Sequence, residues 1–245
     1  MIMETQPSTY AILPVISSPS LSTEPGGGDA YEIKFRLTAE EARWAETWAR
    51  QHLQPDSHGD NGVYRTTSLY LDTPFLDIYH KTPGYRRSKY RLRRYGSAEW
   101  VYLERKIRRG DRVRKRREVV SLAEVSRLLD DGVGGWFGNR VRRRLFRPVC
   151  WVGYTRTAFL SMTANGPLRL TLDRNVLGTP ATMWTVPPRL EGRALLPDEV
   201  ILELKYRNSL PMLFHELLAV LPSHLAGVSK YGRCVEAWNL TSAFG

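Results

Sequence analysis

Charged side chains recur at every second position in four separate stretches of this chain. Glu32, Lys34 and Arg36 alternate with Ile33, Phe35 and Leu37. Arg91 and Arg93 alternate with Tyr90 and Leu92, and Glu104 and Lys106 lie between Leu103 and Ile107. Glu203, Lys205 and Arg207 alternate with Leu202, Leu204 and Tyr206. Period two is the strand period, so each stretch puts its charges on one sheet face and its apolar side chains on the other. A guanidinium fork pairs bidentately with phosphate oxygens, and an ammonium adds a compact charge. Arg36, Arg91 and Arg93 on neighbouring strands, with Lys34, Lys106 and Lys205, are therefore suited to holding several phosphates in line.

Carboxylates stand among these bases: Glu32, Glu104, Glu118, Asp173 and Glu203. Phosphoryl transfer commonly uses a divalent ion that bridges phosphate oxygens, and hard oxygen ligands suit Mg²⁺ or Mn²⁺. Glu203 shares a strand face with Lys205, two residues on, and is the candidate metal ligand. The other acids also read as counter-charges to the bases. Ser229-Lys230-Tyr231 precedes a helical pattern, where a serine cap and a lysine bring N–H groups and an ammonium to one phosphate. Alone, that tripeptide reads as an ordinary cap with a surface lysine.

Other chemistries lack their signatures. There is no GxxxxGK[ST], GxGxxG or GxSxG, and the glycines of Gly132–Gly138 come without a lysine. The five histidines are scattered, with His215 in an apolar helix. Cys150 and Cys234 make neither a zinc spacing nor a disulfide framework, which suits a reducing, cytoplasmic setting. The apolar run Tyr10–Ile16 lacks the basic flank of a secretion signal and is too short to cross a bilayer. The formal charge is +11 and the isoelectric point about 9.9. Fifteen Lys and Arg against Glu99, Glu104 and Asp111 fall within residues 86–117, so that stretch alone carries +12. The rest of the chain is near neutral, which points to a local polyanion site.

The elements that must position these groups follow from period and punctuation. Residues 1–29 end in Pro25-Gly26-Gly27-Gly28 and read as a flexible N-terminal tail, and residues 30–241 as one domain. Tyr31–Leu37 is a strand. Thr38 and Glu41 form a capping box for a helix whose stripe is Ala42, Trp44, Ala45, Trp48 and Leu53. Tyr64–Asp72 is a strand, and Lys89–Tyr95, Glu99–Arg108 and Arg112–Val120 form a meander turning at Gly96-Ser97 and Gly110-Asp111. Ser121 and Glu124 cap a second helix that Gly132 stops, followed by a Gly/aromatic loop at 132–137. Residues 140–146 fit helix or strand. Val149–Phe159, Leu168–Asp173 and Glu199–Tyr206 are strands, 180–197 a long loop or an irregular hairpin, and Ser209–Leu221 and Ser229–Trp238 helices. Eight strands with two-residue turns and no βαβ repeat predict an α+β fold: an eight-stranded antiparallel β-barrel with a basic lumen, helices packed outside.

The order of motifs resembles the VTC-type polyphosphate polymerase domain, a branch of the triphosphate tunnel metalloenzymes. The resemblance rests on Glu32-Ile33-Lys34-Phe35-Arg36, Ser68-Leu69-Tyr70-Leu71-Asp72, Tyr90-Arg91-Leu92-Arg93, Glu104-Arg105-Lys106, Tyr154-Thr155-Arg156, Leu170-Thr171-Leu172-Asp173, Glu203-Leu204-Lys205 and Ser229-Lys230-Tyr231. It implies a tunnel in which Lys34, Arg91, Arg93, Lys106, Arg156, Lys205 and Lys230 bind phosphates and act in catalysis. Arg36, Glu104, Tyr154 and Ser229 would assist in substrate binding, and Glu203 would hold Mn²⁺ or Mg²⁺. The implied reaction moves the γ-phosphate of ATP onto inorganic polyphosphate.

Hydrolytic and cyclase relatives open with Glu-x-Glu-x-Lys, whereas Lys34 stands at the second Glu position here. That exchange favours holding a polyanion over binding metal. An inorganic or nucleoside triphosphatase of the same fold is the competing enzyme, and a non-catalytic polyphosphate or inositol-phosphate sensor the competing binder. Nucleic acid is not expected as a partner, because the bases alternate on strands. Eukaryotic relatives carry regulatory and membrane domains that these 245 residues lack. The expectation is a cytoplasmic domain, with a separate membrane protein as the route to the inner membrane face.

Overall fold

The computed structural model describes residues 30–110, 112–164, 166–221 and 227–242. The expected tail, 1–29, lies outside them. Strand β1 (Ala30–Thr38) ends where Thr38 caps helix α1 (Ala39–His52). Thr38 Oγ1 accepts from the Glu41 amide at 3.2 Å, and Glu41 Oε2 accepts from the Thr38 amide at 2.7 Å. The buried stripe of α1 is Ala42, Ala45 and Ala49, small enough for the helix to lie close on the sheet. Trp44, expected in that stripe, is turned outward and 39% exposed.

A short β2 (Gln54–Pro55) leads to β3 (Val63–Asp72). The meander β4 (Ser88–Tyr95), β5 (Trp100–Arg109) and β6 (Arg112–Ser121) follows, as the turn residues predict. The Ser121–Glu124 box caps only a 3₁₀ segment, Leu122–Arg127, in place of the expected α-helix. Helix α2 (Gly135–Arg143) starts inside the stretch expected as loop. Gly134 caps it at φ +66, and a Cβ there would come within 2.4 Å of Leu128, so only glycine fits this tight entry. Strands β7 (Arg147–Thr163) and β8 (Gly166–Pro180) extend well past their expected ends. β9 (Arg193–Ala194), β10 (Glu199–Tyr206), α3 (Met212–Val220) and α4 (Lys230–Ala237) complete the chain.

The eight long strands run β7-β3-β4-β5-β6-β1-β10-β8, and β8 pairs back onto β7 to close an antiparallel barrel. The fold class expected from the sequence is the one observed. The shortest seam lies between β1 and β6, which among the described residues pair at Ala30–Val113 and Tyr31–Arg112. The core lies outside the barrel. Phe35, Leu37, Leu170, Leu172, Leu202 and Leu204 pack with Phe214 and Leu217 under α1 and α3. On the other side Leu69, Leu92, Leu103 and Val152 pack with Phe137, Val141, Cys234 and Val235 of α2 and α4. Because apolar side chains occupy the outer face of each strand, the alternating charges are directed into the lumen.

Candidate active site in the barrel lumen

The pairing register sets acid against base across neighbouring strands. Lys34 faces Glu203, Glu32 faces Lys205, and Arg91 faces Glu104. Glu104 also faces Arg117, and Arg156 faces Asp173. Five register pairs are cation on cation: Lys89 with Lys106, Lys106 with Lys115, Arg105 with Arg116, Arg109 with Arg112, and Lys205 with Arg169. A cavity of about 470 Å³ runs through the lumen, lined by eleven Lys and Arg against Glu32, Glu118 and Glu203. Counting Glu104 and Asp173, buried just behind the surface, the lumen still carries an excess of about six positive charges. A cluster of that sign in a confined space draws a polyanion.

Four carboxylates order the bases. Glu104, fully buried, accepts from Arg91 at 2.7 Å and from Arg117 at 2.9 and 2.6 Å, with Lys115 at 3.7 Å. Asp173 takes a bidentate pair from Arg156 at 2.7 and 2.8 Å and a third contact from Lys230 at 2.6 Å. Glu32 accepts from Lys106 at 2.6 and 2.8 Å. The Lys34 ammonium bridges Glu203 at 2.5 Å and Glu32 at 3.2 Å. Burial would raise the Asp173 carboxyl, but Arg156 and Lys230 outweigh it and lower it to about 2. Burial is likewise overcome at Glu104 by Arg91 and Lys115, and at Glu203 by Lys34 and Lys230. Both are held well below the usual carboxylate range.

Two lysines are also lowered, which for a base favours the neutral form. Burial, reinforced by Lys34 and Lys205 against the pull of Glu32, lowers Lys106 to about 7. The pair is asymmetric because Glu32 is shared among Lys34, Lys106 and Lys205, while among the described residues Lys106 has only that shared carboxylate in hydrogen-bond contact. Burial, with Lys34 and Arg91, lowers Lys89 to about 8. The folded protein therefore sheds these protons before the unfolded chain does, and between these values and the ordinary 10.5 they make ligand-free stability rise with pH. A bound polyanion restores the charged forms. Tripolyphosphate binding near pH 8 is expected to take up protons, and its affinity to fall as pH climbs through 7–9. Calorimetry in buffers of different ionisation enthalpy reads this directly; zero net uptake would contradict it.

Most residues singled out in the sequence converge. Lys34, Arg91, Arg93, Lys106, Tyr154, Arg156, Glu203, Lys205 and Lys230 line the one cavity. Arg93 lies over the Tyr95 and Tyr154 rings at 6.0 and 5.9 Å, and Lys230 over Tyr154 at 4.7 Å. Glu104 sits behind the lining, engaged by its bases. Arg36 and Ser229 lie instead on a wider vestibule of about 1060 Å³ that shares Glu32, Lys34, Lys89 and Lys106 with the lumen. Arg36 is paired with Glu199, and Ser229 Oγ accepts from Lys89 at 2.9 Å and from the Gly232 amide at 3.1 Å. Lys89, Lys115 and Arg117 were not singled out. Lys89 continues the Arg91–Arg93 alternation by one step. Lys115 and Arg117 sit in Arg112–Arg117, where five of six residues are basic and no apolar alternation marks a face.

Among the described residues no three His, Cys, Asp or Glu converge as a metal cage. The lumen still fits a hard divalent ion that takes one or two carboxylates and fills its shell with phosphate oxygens and water. Glu203 would be the ligand for it: Oε1 is held by Lys34 at 2.5 Å, while Lys205 and Arg156 approach Oε2 to 3.7 and 3.9 Å. Glu32 lies on the other side of Lys34.

Solved structures with a related outline include a candidate adenylyl cyclase from Hippeastrum with a dominant triphosphatase activity. It is 15% identical, covers 86% of this chain and 96% of its own, and has a TM-score of 0.49. A protein of Pyrococcus horikoshii OT3 is 16% identical over 84% of this chain and 99% of its own, at a TM-score of 0.47. No curated protein matches in sequence. The sequence profile of the VTC domain matches residues 29–239, nearly the whole described chain, and the protein belongs to the VTC domain family.

Proposed function

We propose that this domain is a metal-dependent polyphosphate polymerase. The observation that carries this reading is the Lys34 ammonium, lodged between Glu32 and Glu203 in a lumen with an excess of cations. A terminal oxygen of the polyphosphate attacks the γ-phosphorus of ATP. The new P–O bond forms as the bond from that phosphorus to the β,γ-bridging oxygen breaks, and ADP leaves. Because the acceptor is itself a phosphate oxygen, no protein nucleophile is required. Arg91, Arg93, Arg156, Lys205 and Lys230 supply fixed positive charge along the chain and at the oxygens of the transferred group. Mn²⁺ or Mg²⁺, held by Glu203, would neutralise charge on the transferred phosphoryl and the leaving diphosphate. Asp173 and Glu104 keep the arginine forks aimed, which limits reorganisation during transfer.

The size and inward direction of the lumen favour a thin phosphate chain over a nucleic-acid duplex. Among the described residues no helix is long and apolar enough to cross a membrane. The test is a product balance. Incubation with ATP and Mg²⁺ or Mn²⁺ should yield phosphatase-sensitive polymer with one ADP per phosphate added. Free phosphate without polymer under either metal would make the domain a triphosphatase, and tight polyphosphate binding without turnover would make it a sensor.

A further inference from the structure

Two of the most exposed large apolar side chains lie on adjacent loops. Phe75 is 77% and Leu145 71% exposed. Phe75 follows β3 and Leu145 precedes β7, and these strands pair to their ends through Asp72 and Arg147. Arg147 Nη2 also donates to the Pro74 carbonyl at 2.8 Å, tying one loop to the other. Leu145 adopts φ +54, a left-handed conformation at the end of α2 that disfavours a leucine and is commonly a glycine position. The chain thus presents an apolar tip at a site whose backbone favours a small residue.

The tips are flanked by bases. Arg143 and Arg144 are exposed beside Leu145, and Arg86 and Arg87 are exposed on the long loop that follows Phe75. None of the four has a carboxylate partner among the described residues. The two segments are packed together, since the Arg144 guanidinium lies 5.0 Å from the centre of the Tyr85 ring and Tyr85 meets Phe146 edge-on at 6.3 Å. Convex apolar tips beside exposed arginines match the interfacial zone of an anionic bilayer, where apolar side chains enter the acyl boundary and cations meet headgroup phosphates. An acidic protein groove would satisfy the arginines but would need to be cut to two protruding tips.

We propose that the loops carrying Phe75 and Leu145, with Arg143 and Arg144, form a docking surface for an anionic lipid bilayer. The inner side of the long loop, at Ile78, Tyr79 and Arg87, lines the vestibule, so docking would set that mouth of the lumen beside the membrane. This surface is separate from the lumen and does not depend on the reaction proposed there.

The experiment is vesicle sedimentation with the full chain. One set of vesicles is pure phosphatidylcholine, and the other an equimolar mixture with phosphatidylglycerol. Binding is expected to the anionic vesicles alone and to weaken with salt. The double variant Phe75→Ser, Leu145→Asn should bind about tenfold or more weakly with an unchanged thermal midpoint, because Phe75 is exposed and asparagine tolerates the left-handed conformation. Arg143→Glu with Arg144→Glu should lose binding. Saturating tripolyphosphate, which fills the lumen, should leave vesicle binding intact. No binding to anionic vesicles at low salt, equal binding by the apolar double variant, or displacement by tripolyphosphate would each overturn the proposal. Displacement would assign the binding to the lumen.

Discussion

Glu104→Ala should destabilise the ligand-free protein by about 3–5 kcal/mol, the cost of leaving buried charges without their partner. Glu104 has no solvent exposure, and Arg91, Arg117, Lys115 and Arg93 all lie within 4.0 Å of its oxygens. Alanine leaves these cations to repel one another in a space with little water, and the methyl group fills none of it. Glu104→Gln keeps part of the hydrogen bonding without the charge and should fall between the two. Tripolyphosphate should recover more stability in the alanine variant than in the parent protein, because the added anion replaces the missing one. The sign with pH follows from the lowered carboxyl. The parent has the full stability from Glu104 above the ordinary carboxylate range and loses it progressively as pH falls from that range to the depressed folded value, so the variant should lack that acid limb. Urea unfolding with and without tripolyphosphate measures both effects. A variant within about 1 kcal/mol of the parent would show that the guanidinium groups are hydrated and not dependent on Glu104.

The β-barrel was legible because both faces of most strands carry a signal. At Glu32–Leu37 and Leu202–Tyr206 charges fill one face and large apolar groups the other, and such a pattern needs cover outside and a polar interior. Where both faces are basic, as at Arg112–Arg117, the signal vanished and Lys115 and Arg117 were missed. Ion-pair choice was not legible either. Lys34 lies far in sequence from Glu203, and Lys106 from Glu32. Only the stagger of the closed sheet decides which acid meets which base. The same holds for the short β1–β6 seam, a consequence of closure and not of any local preference. The placement of α2 depended on a left-handed glycine cap, which a Gly-rich run does not locate. Exposed Phe75 and Leu145 escape sequence reading because apolar residues are ordinarily assigned to the core.

Lys34→Glu should convert the lumen from one that grips phosphate chains to one that grips metal. The ammonium now sits 2.5 Å from Glu203 and 3.2 Å from Glu32, closer to both carboxylates than Lys205, which lies 3.7 and 3.8 Å from them. The substitution removes one positive and adds one negative charge, so the lumen's excess falls by two, and a third carboxylate joins Glu32 and Glu203. Three oxygen ligands suit Mn²⁺ or Mg²⁺ without help from phosphate. In the absence of metal the three acids repel, so the variant should unfold more easily than the parent. Its midpoint should climb with added Mn²⁺, as binding to the folded state alone requires. In the proposed reaction, polymer synthesis should drop by about a hundredfold, which corresponds to roughly 2.7 kcal/mol of lost transition-state binding, and the released product should shift from polymer towards free phosphate. Lys34→Ala separates the two causes. It removes the ammonium without adding a ligand, so it should weaken polyphosphate binding yet leave Mn²⁺ affinity much lower than in the glutamate variant. Mn²⁺ titration followed by electron paramagnetic resonance, without nucleotide, reads the metal gain independently of turnover. A glutamate variant that binds Mn²⁺ no better than the parent and still makes polymer at the parent rate would remove Lys34 as the residue that sets the balance between extension and hydrolysis.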